Sequence, residues 1–185
     1  MGEQHKKHNR REHLNDFHLN VAGEYVYDGA LYACQSDDAK QHRIKRAVLG
    51  MAAILIVAVI AGGCIPAPGM QNCFYVLLPY LGEFLGAGSV IWALAKLGMD
   101  WGTVREYNYK QSVAVLPVRT AVTAVFSLLG IVCELIFFFV NDHAGQTFFA
   151  LLYVLLKLTA LLSALVLRAE IMQAEWDKLP KKDNF

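Results

Sequence analysis

Charge is scarce in this 185-residue sequence: Asp, Glu, Lys and Arg make up 18%, against 56% hydrophobic residues. That balance is unusual for a small soluble domain, and the apolar residues are not spread evenly. Two short connectors, 66–72 and 141–146, hold no Lys or Arg at all. The chain also lacks a C-x-x-C pair, a phosphate-cradling glycine loop, a metal-ligand motif and a nucleophile beside a base. Catalysis therefore has no starting point here, and neither an enzyme nor a cofactor is expected. There is no DNA-reading motif, so nucleic acid is not an expected partner.

What is abundant is long apolar sequence. Four blocks carry it, at 47–65, 74–97, 118–140 and 148–167. Each is close to the ~20 residues a helix needs to cross ~30 Å of hydrocarbon. The expected fold is an all-α integral membrane protein, a four-transmembrane-helix bundle occupying 47–167. The first block follows a charged stretch and is not placed like a cleavable secretory signal, so it is expected to remain as a helix.

All but one of the 17 Lys and Arg lie before the first block, in or at the ends of the segment between the second and third (Lys96, Arg105, Lys110, Arg119), or after the fourth. Basic residues near short loops are retained on the cytoplasmic side, so both termini are expected in the cytoplasm, with the plasma membrane as the site. The basic rims suit anionic lipid headgroups, which makes the bilayer itself one partner.

The cytoplasmic parts read as follows. Residues 1–16 are polar and are expected to form a disordered tail; His5, His8 and His13 lack the spacing of a metal site. Residues 17–46 are expected to form a hairpin and the lead-in to the first helix. In Glu24 to Cys34 two strand-favouring runs flank Asp28-Gly29, a pair suited to a type I′ turn. The expected short N-terminal β-hairpin would offer Tyr25, Tyr27 and Tyr32 to a partner. A hairpin alone is marginal in water and must rest on something, such as the connector between spans two and three. Ser36, followed by Asp37 and Asp38, reads as a helix cap. Thr103 is a candidate cap for a short helix ending before Pro117, and residues 168–185 are expected to prolong the last helix up to Pro180.

Cys64 and Cys73 bracket the proline-bent connector Pro66 to Asn72 on the outer side. A disulfide staple is the first expectation, worth roughly 2.7 kcal/mol for a loop of about ten residues; unpaired thiols are the alternative. A redox relay, as in the four-helix enzymes that pass disulfide electrons to quinones, would need a second accessible pair. The other outer connector has no cysteine.

Inside the apolar blocks stand Glu83, Glu134 and Lys157, each costing at least ~2.5 kcal/mol at mid-bilayer unless paired or hydrated. At about 1.5 Å per residue, Glu83 and Lys157 both lie about 15 Å from the outer ends of their spans. Their neighbours at helical spacing are small or polar: Thr123, Ser127 and Gly130 lead to Glu134, while Ala150, Tyr153, Ala160 and Ala164 surround Lys157. Gly82 and Gly86 frame Glu83 in a G-x-x-x-G pattern, and small residues let helices approach closely. The stripes should face one another and bring the charges together. Pro79, one turn from Glu83, removes a backbone hydrogen bond there.

Two functional expectations from different classes follow. The first is a non-catalytic accessory, assembly or regulatory subunit of a membrane complex, which the cytoplasmic mass favours. The alternative is a small ion- or proton-coupled transporter, as a homo-oligomer, using Glu83, Glu134, Lys157 and Tyr153. Small multidrug transporters are also four-helix proteins with a membrane carboxylate, but theirs lies in the first span, which here has no acid. A thiol redox enzyme ranks below both.

Overall fold

The computed structural model describes residues 17–19, 23, 25–27, 29–98, 101–141 and 147–179. The expected tail at 1–16, with its three histidines, lies outside the described residues, as do Asp28 and 142–146 of the second short connector. The protein is mostly helical, with a small three-stranded sheet. Strands β1 (Phe17–Leu19), β2 (Tyr25–Tyr27) and β3 (Leu31–Cys34) precede helix α1 (Asp38–Cys64). A short helix α2 (Pro68–Asn72) leads into α3 (Phe74–Leu97). Strand β4 (Thr103–Arg105) and short helix α4 (Glu106–Gln111) then precede α5 (Leu116–Val140), α6 (Thr147–Met172) and strand β5 (Trp176–Lys178).

The chain has four helical stretches long and apolar enough to cross a membrane. Only 33–39% of their apolar windows is buried inside the protein. Leu128, Leu135, Phe139, Leu151, Leu155 and Leu162 instead point outward, while Thr120, Thr123, Ser127, Ser163 and all three block-interior charges point inward. That polarity is the reverse of a water-soluble bundle and suits an apolar surround.

α1 packs on α6, α6 on α5, α5 on α3, and α3 more lightly on α1, closing a ring in which α3 and α6 stand on a diagonal. Close approach of α3 and α5 depends on glycine. A Cβ on Gly86 would lie 2.6 Å from Thr123 Oγ1 and 3.3 Å from the Thr123 Cα, and one on Gly82 would meet the Phe126 ring at 2.5 Å. α1 starts well ahead of its apolar block, at Asp38; Asp37, not Ser36, occupies the cap position and makes no side-chain cap bond. An acid at Asp38 still suits the positive end of the helix dipole.

At one end of the bundle the chain builds a cap. β3 is the central strand of an antiparallel sheet in the order β4-β3-β5, with Tyr32 opposite both Val104 and Lys178. The expected hairpin around Asp28-Gly29 is therefore not formed: β2 pairs with β1, in the register Val26 to His18, and β3 pairs elsewhere. A single hairpin would satisfy one edge of β3, whereas β4 and β5 satisfy both. The last helix likewise stops at Met172 instead of running to Pro180, and Trp176 turns back to pair with Cys34. Thr103 lies in β4 and does not cap α4, whose cap position is Arg105.

The cap and the bundle share one apolar cluster. Trp101, Val104, Val113 and Leu116 pack with Ile44, Val48, Leu97, Leu167 and Ile171, and Tyr109 and Trp176 lie against them. The Gln41 side-chain amide donates to the Trp101 carbonyl at 2.6 Å, and Arg119 donates to the Ser89 carbonyl at 2.6 Å. Lys96 also donates to the Gln111 side chain. The cap is thus anchored to the helices by both packing and hydrogen bonds.

At the opposite end α2 folds inward. Ala67, Pro68 and Gly69 are buried, with Pro68 in the first turn, where its missing N–H costs nothing. This overturns the expected staple: Cys64 ends α1 on the surface, Cys73 stands between α2 and α3, and they are not at disulfide distance. The connector is held by α2 packing against α3, α5 and α6, which spends its residues on an inward turn and does not draw its ends together.

Candidate functional site: the charges inside the bundle

Glu83 projects from α3 into the bundle and is fully buried; Lys157 projects from α6 and is 1% exposed. Helical spacing explains both, since each lies on the inward stripe of its helix, with Gly86 and Val90 following Glu83 and Tyr153 and Ala160 flanking Lys157. The Lys157 ammonium closes on Glu83 Oε2 as an ion pair and hydrogen bond across the diagonal. Ser127 donates to the other carboxylate oxygen at 2.6 Å. The ammonium also lies 4.5 Å from the Tyr80 ring centroid and 5.1 Å from that of Tyr153, over both π faces. Gly130 leaves room for the lysine stem, which would touch a Cβ there at 3.6 Å. Tyr80 reaches across to α1, where its hydroxyl occupies the space a Cβ on Gly63 would need.

Two desolvated charges of opposite sign therefore share one place with a hydroxyl and two rings. Each would be costly alone; together they are neutral. Pro79 lies inside α3 one turn before Glu83 and is half-buried.

Glu134 is separate from this group. It is fully buried on α5, nearer α2, and its Oε1 accepts a long hydrogen bond of 3.4 Å from the Gly69 backbone N–H. Its Oε2 has no partner, and neither does the buried Tyr153 hydroxyl. A Cβ on Gly69 would lie 2.2 Å from Glu134 Oε2, so a side chain there would displace the carboxyl. Between α5 and α6 lies a cleft of about 30 Å³ lined by Glu134, Leu135, Phe138, Ala150, Leu151 and Val154, whose exposed surface is apolar throughout. That is room for about one water-sized molecule.

The structure thus brings Glu83, Lys157 and Tyr153 together, while the one hydrogen bond of Glu134 goes to Gly69 on α2 and the ammonium of Lys157 goes to Glu83. Gly69 was not readable as a site residue, since it lies 65 positions from the carboxyl it contacts. Tyr80 and Ser127 sit at helical spacing around the charges and could be found that way. Of the three tyrosines expected at a docking surface, Tyr25 is 75% exposed, and the Tyr27 side chain lies outside the described residues. Tyr32 stacks on Tyr109 within the cap, with centroids 4.1 Å apart and planes 3° from parallel. Among the described residues no three His, Cys, Asp or Glu side chains gather as a metal site.

No protein-family model, no curated protein and no solved structure matches this chain. The functional reading rests on the geometry.

Proposed function

We propose that this chain is a multi-pass protein of the cell membrane, with both termini cytoplasmic, acting as a non-catalytic accessory or assembly subunit of a membrane complex. The observation that carries this reading is the cap. Three segments far apart in sequence leave the helices at one end and fold into a single sheet there, with β4 and β5 as edge strands. Edge strands present unpaired backbone groups to a partner. The orientation follows from charge, because Lys40, Arg43, Lys96, Arg119, Arg168 and Lys178 all belong to the capped end. The lipid bilayer and another membrane protein, or a second copy of the chain, are the partners this reading requires.

The internal charges fit the same reading. Glu83 and Lys157 neutralise one another and need no substrate, so they act as a register device for the helices. Photo-crosslinkers placed at Thr103 and Asp177, exposed on the two edge strands, test the reading in cells. A discrete adduct to one membrane protein, absent when the crosslinker is at the outward-facing Leu155, is the expected result. Proton or cation flux by the purified chain in proteoliposomes, with no partner present, would overturn it.

One observation favours a second reading, ion- or proton-coupled transport. Glu134 keeps an unpartnered buried oxygen. The same flux assay separates the two, since a transporter should move its ion alone and lose that activity on Glu134→Gln.

A further inference from the structure

We propose that Glu134 is an exchangeable proton-binding carboxyl, reached from the surrounding apolar phase through the cleft between α5 and α6 and independent of the Glu83–Lys157 pair. The proposal rests on the chain spanning a membrane, but not on whether it is an accessory subunit or a transporter.

The first support is the inventory of groups around this carboxyl. From α6, Tyr153 faces it, and Lys157 is engaged with Glu83. From α3, Tyr75 and Glu83 are the titratable groups on that side, and Cys133 adjoins it on α5. α2, with the sequence PGMQN, offers a backbone N–H and no charge. No cation among the described residues answers Glu134. Its one bond is a long contact from a neutral amide, far short of the several donors a buried carboxylate needs.

The second support is the space beside it. The cavity runs between α5 and α6, and two of its walls, Leu135 and Leu151, are 38% and 64% exposed on the outer apolar face. The remaining walls, Phe138, Ala150 and Val154, are apolar. A hydrated ion finds no polar lining there, whereas a proton carried on the carboxyl removes the charge of a buried group whose Oε2 has no partner. Glu83 has no such opening, being held by Lys157 and Ser127.

A lipophilic carbodiimide provides the test, because it partitions into the bilayer and reacts with the acid form of a carboxyl. The acid O–H adds across one C=N bond, its proton passing to nitrogen, and the acyl group then migrates to leave a stable N-acylurea. The full chain is reconstituted in liposomes, membrane insertion is checked by resistance to alkaline extraction, and the modified residue is located by mass spectrometry. Label on Glu134 in preference to Glu83 is expected, with a rate that falls about tenfold per pH unit above the carboxyl's pKa. Leu151→Trp fills the cleft from its exposed side, leaves the interior packing untouched, and should slow labelling several-fold. Equal labelling of Glu83, no labelling of Glu134 in inserted protein, or faster labelling by a water-soluble carbodiimide would overturn the proposal. Release of the protein by alkaline extraction would instead count against membrane insertion itself.

Discussion

Lys157 on α6 and Glu83 on α3 form an ion pair between diagonal helices of the ring, at a point where both side chains are buried. α1 and α5 stand at the corners between them, each packed on both α3 and α6. Ser127 and the rings of Tyr80 and Tyr153 complete the surroundings, so that three of the four long helices contribute to a single neutral group. Removing either charge strands the other.

Glu83→Gln or Lys157→Met alone should each destabilise the fold by about 3–5 kcal/mol, and the double substitution by less than either. Unfolding in mixed micelles, followed by circular dichroism, measures all four proteins. Additive losses would show that the two residues are not coupled.

Gly86→Ala should cost about 1–3 kcal/mol, because the new methyl meets Thr123 where two helix backbones nearly touch. Gly88→Ala is the control, since a Cβ there meets nothing within 4 Å and the change should not destabilise. Equal behaviour of the two variants would argue against the α3–α5 contact described.

Under oxidising conditions the four cysteines should titrate as four thiols in the unfolded chain, all being free in the fold. Replacing Cys64 and Cys73 by Ser should leave the thermal midpoint where it was. A midpoint that drops only in the absence of reductant would restore the staple. Cys64, the exposed one, should also react with a polar maleimide before the half-buried Cys133.

In the cap, Tyr32→Ala and Tyr109→Ala should show a coupling of about 0.5–1.5 kcal/mol in a double-mutant cycle, beyond the apolar area each loses. Amide hydrogen exchange at Ala33 and Cys34 reports it, since β3 opens only when its neighbours release it. No coupling would mean that the two rings do not stack in solution.

The four apolar helices were legible because crossing hydrocarbon sets a length and hydropathy that can be counted residue by residue. The second span, 74–97, coincides with α3 at both ends. α1 and α6 start or end well beyond their apolar blocks, since a helix continues as long as nothing breaks it, and hydropathy does not register those polar turns. The inward stripes were legible for the same kind of reason: a period of 3.6 residues puts Thr123, Ser127, Gly130 and Glu134 on one face regardless of what they meet there.

What the sequence by itself determined is therefore local: four apolar helices, their inward faces, the matched positions of Glu83 and Lys157 along their helices, and the gathering of basic residues toward one end. The tertiary structure alone decided the partners. Cys64 and Cys73 flank a connector that folds inward as α2 and so remain apart, Gly69 comes to Glu134, and Leu31–Cys34 joins strands from 103–105 and 176–178 instead of its neighbour at 25–27. Local propensity favoured the hairpin at Asp28-Gly29, but a turn preference is worth little beside hydrogen bonds on both edges of a strand. Those bonds become available only after the bundle has carried three distant segments to the same end, where strand propensity yields to whichever backbone lies within reach.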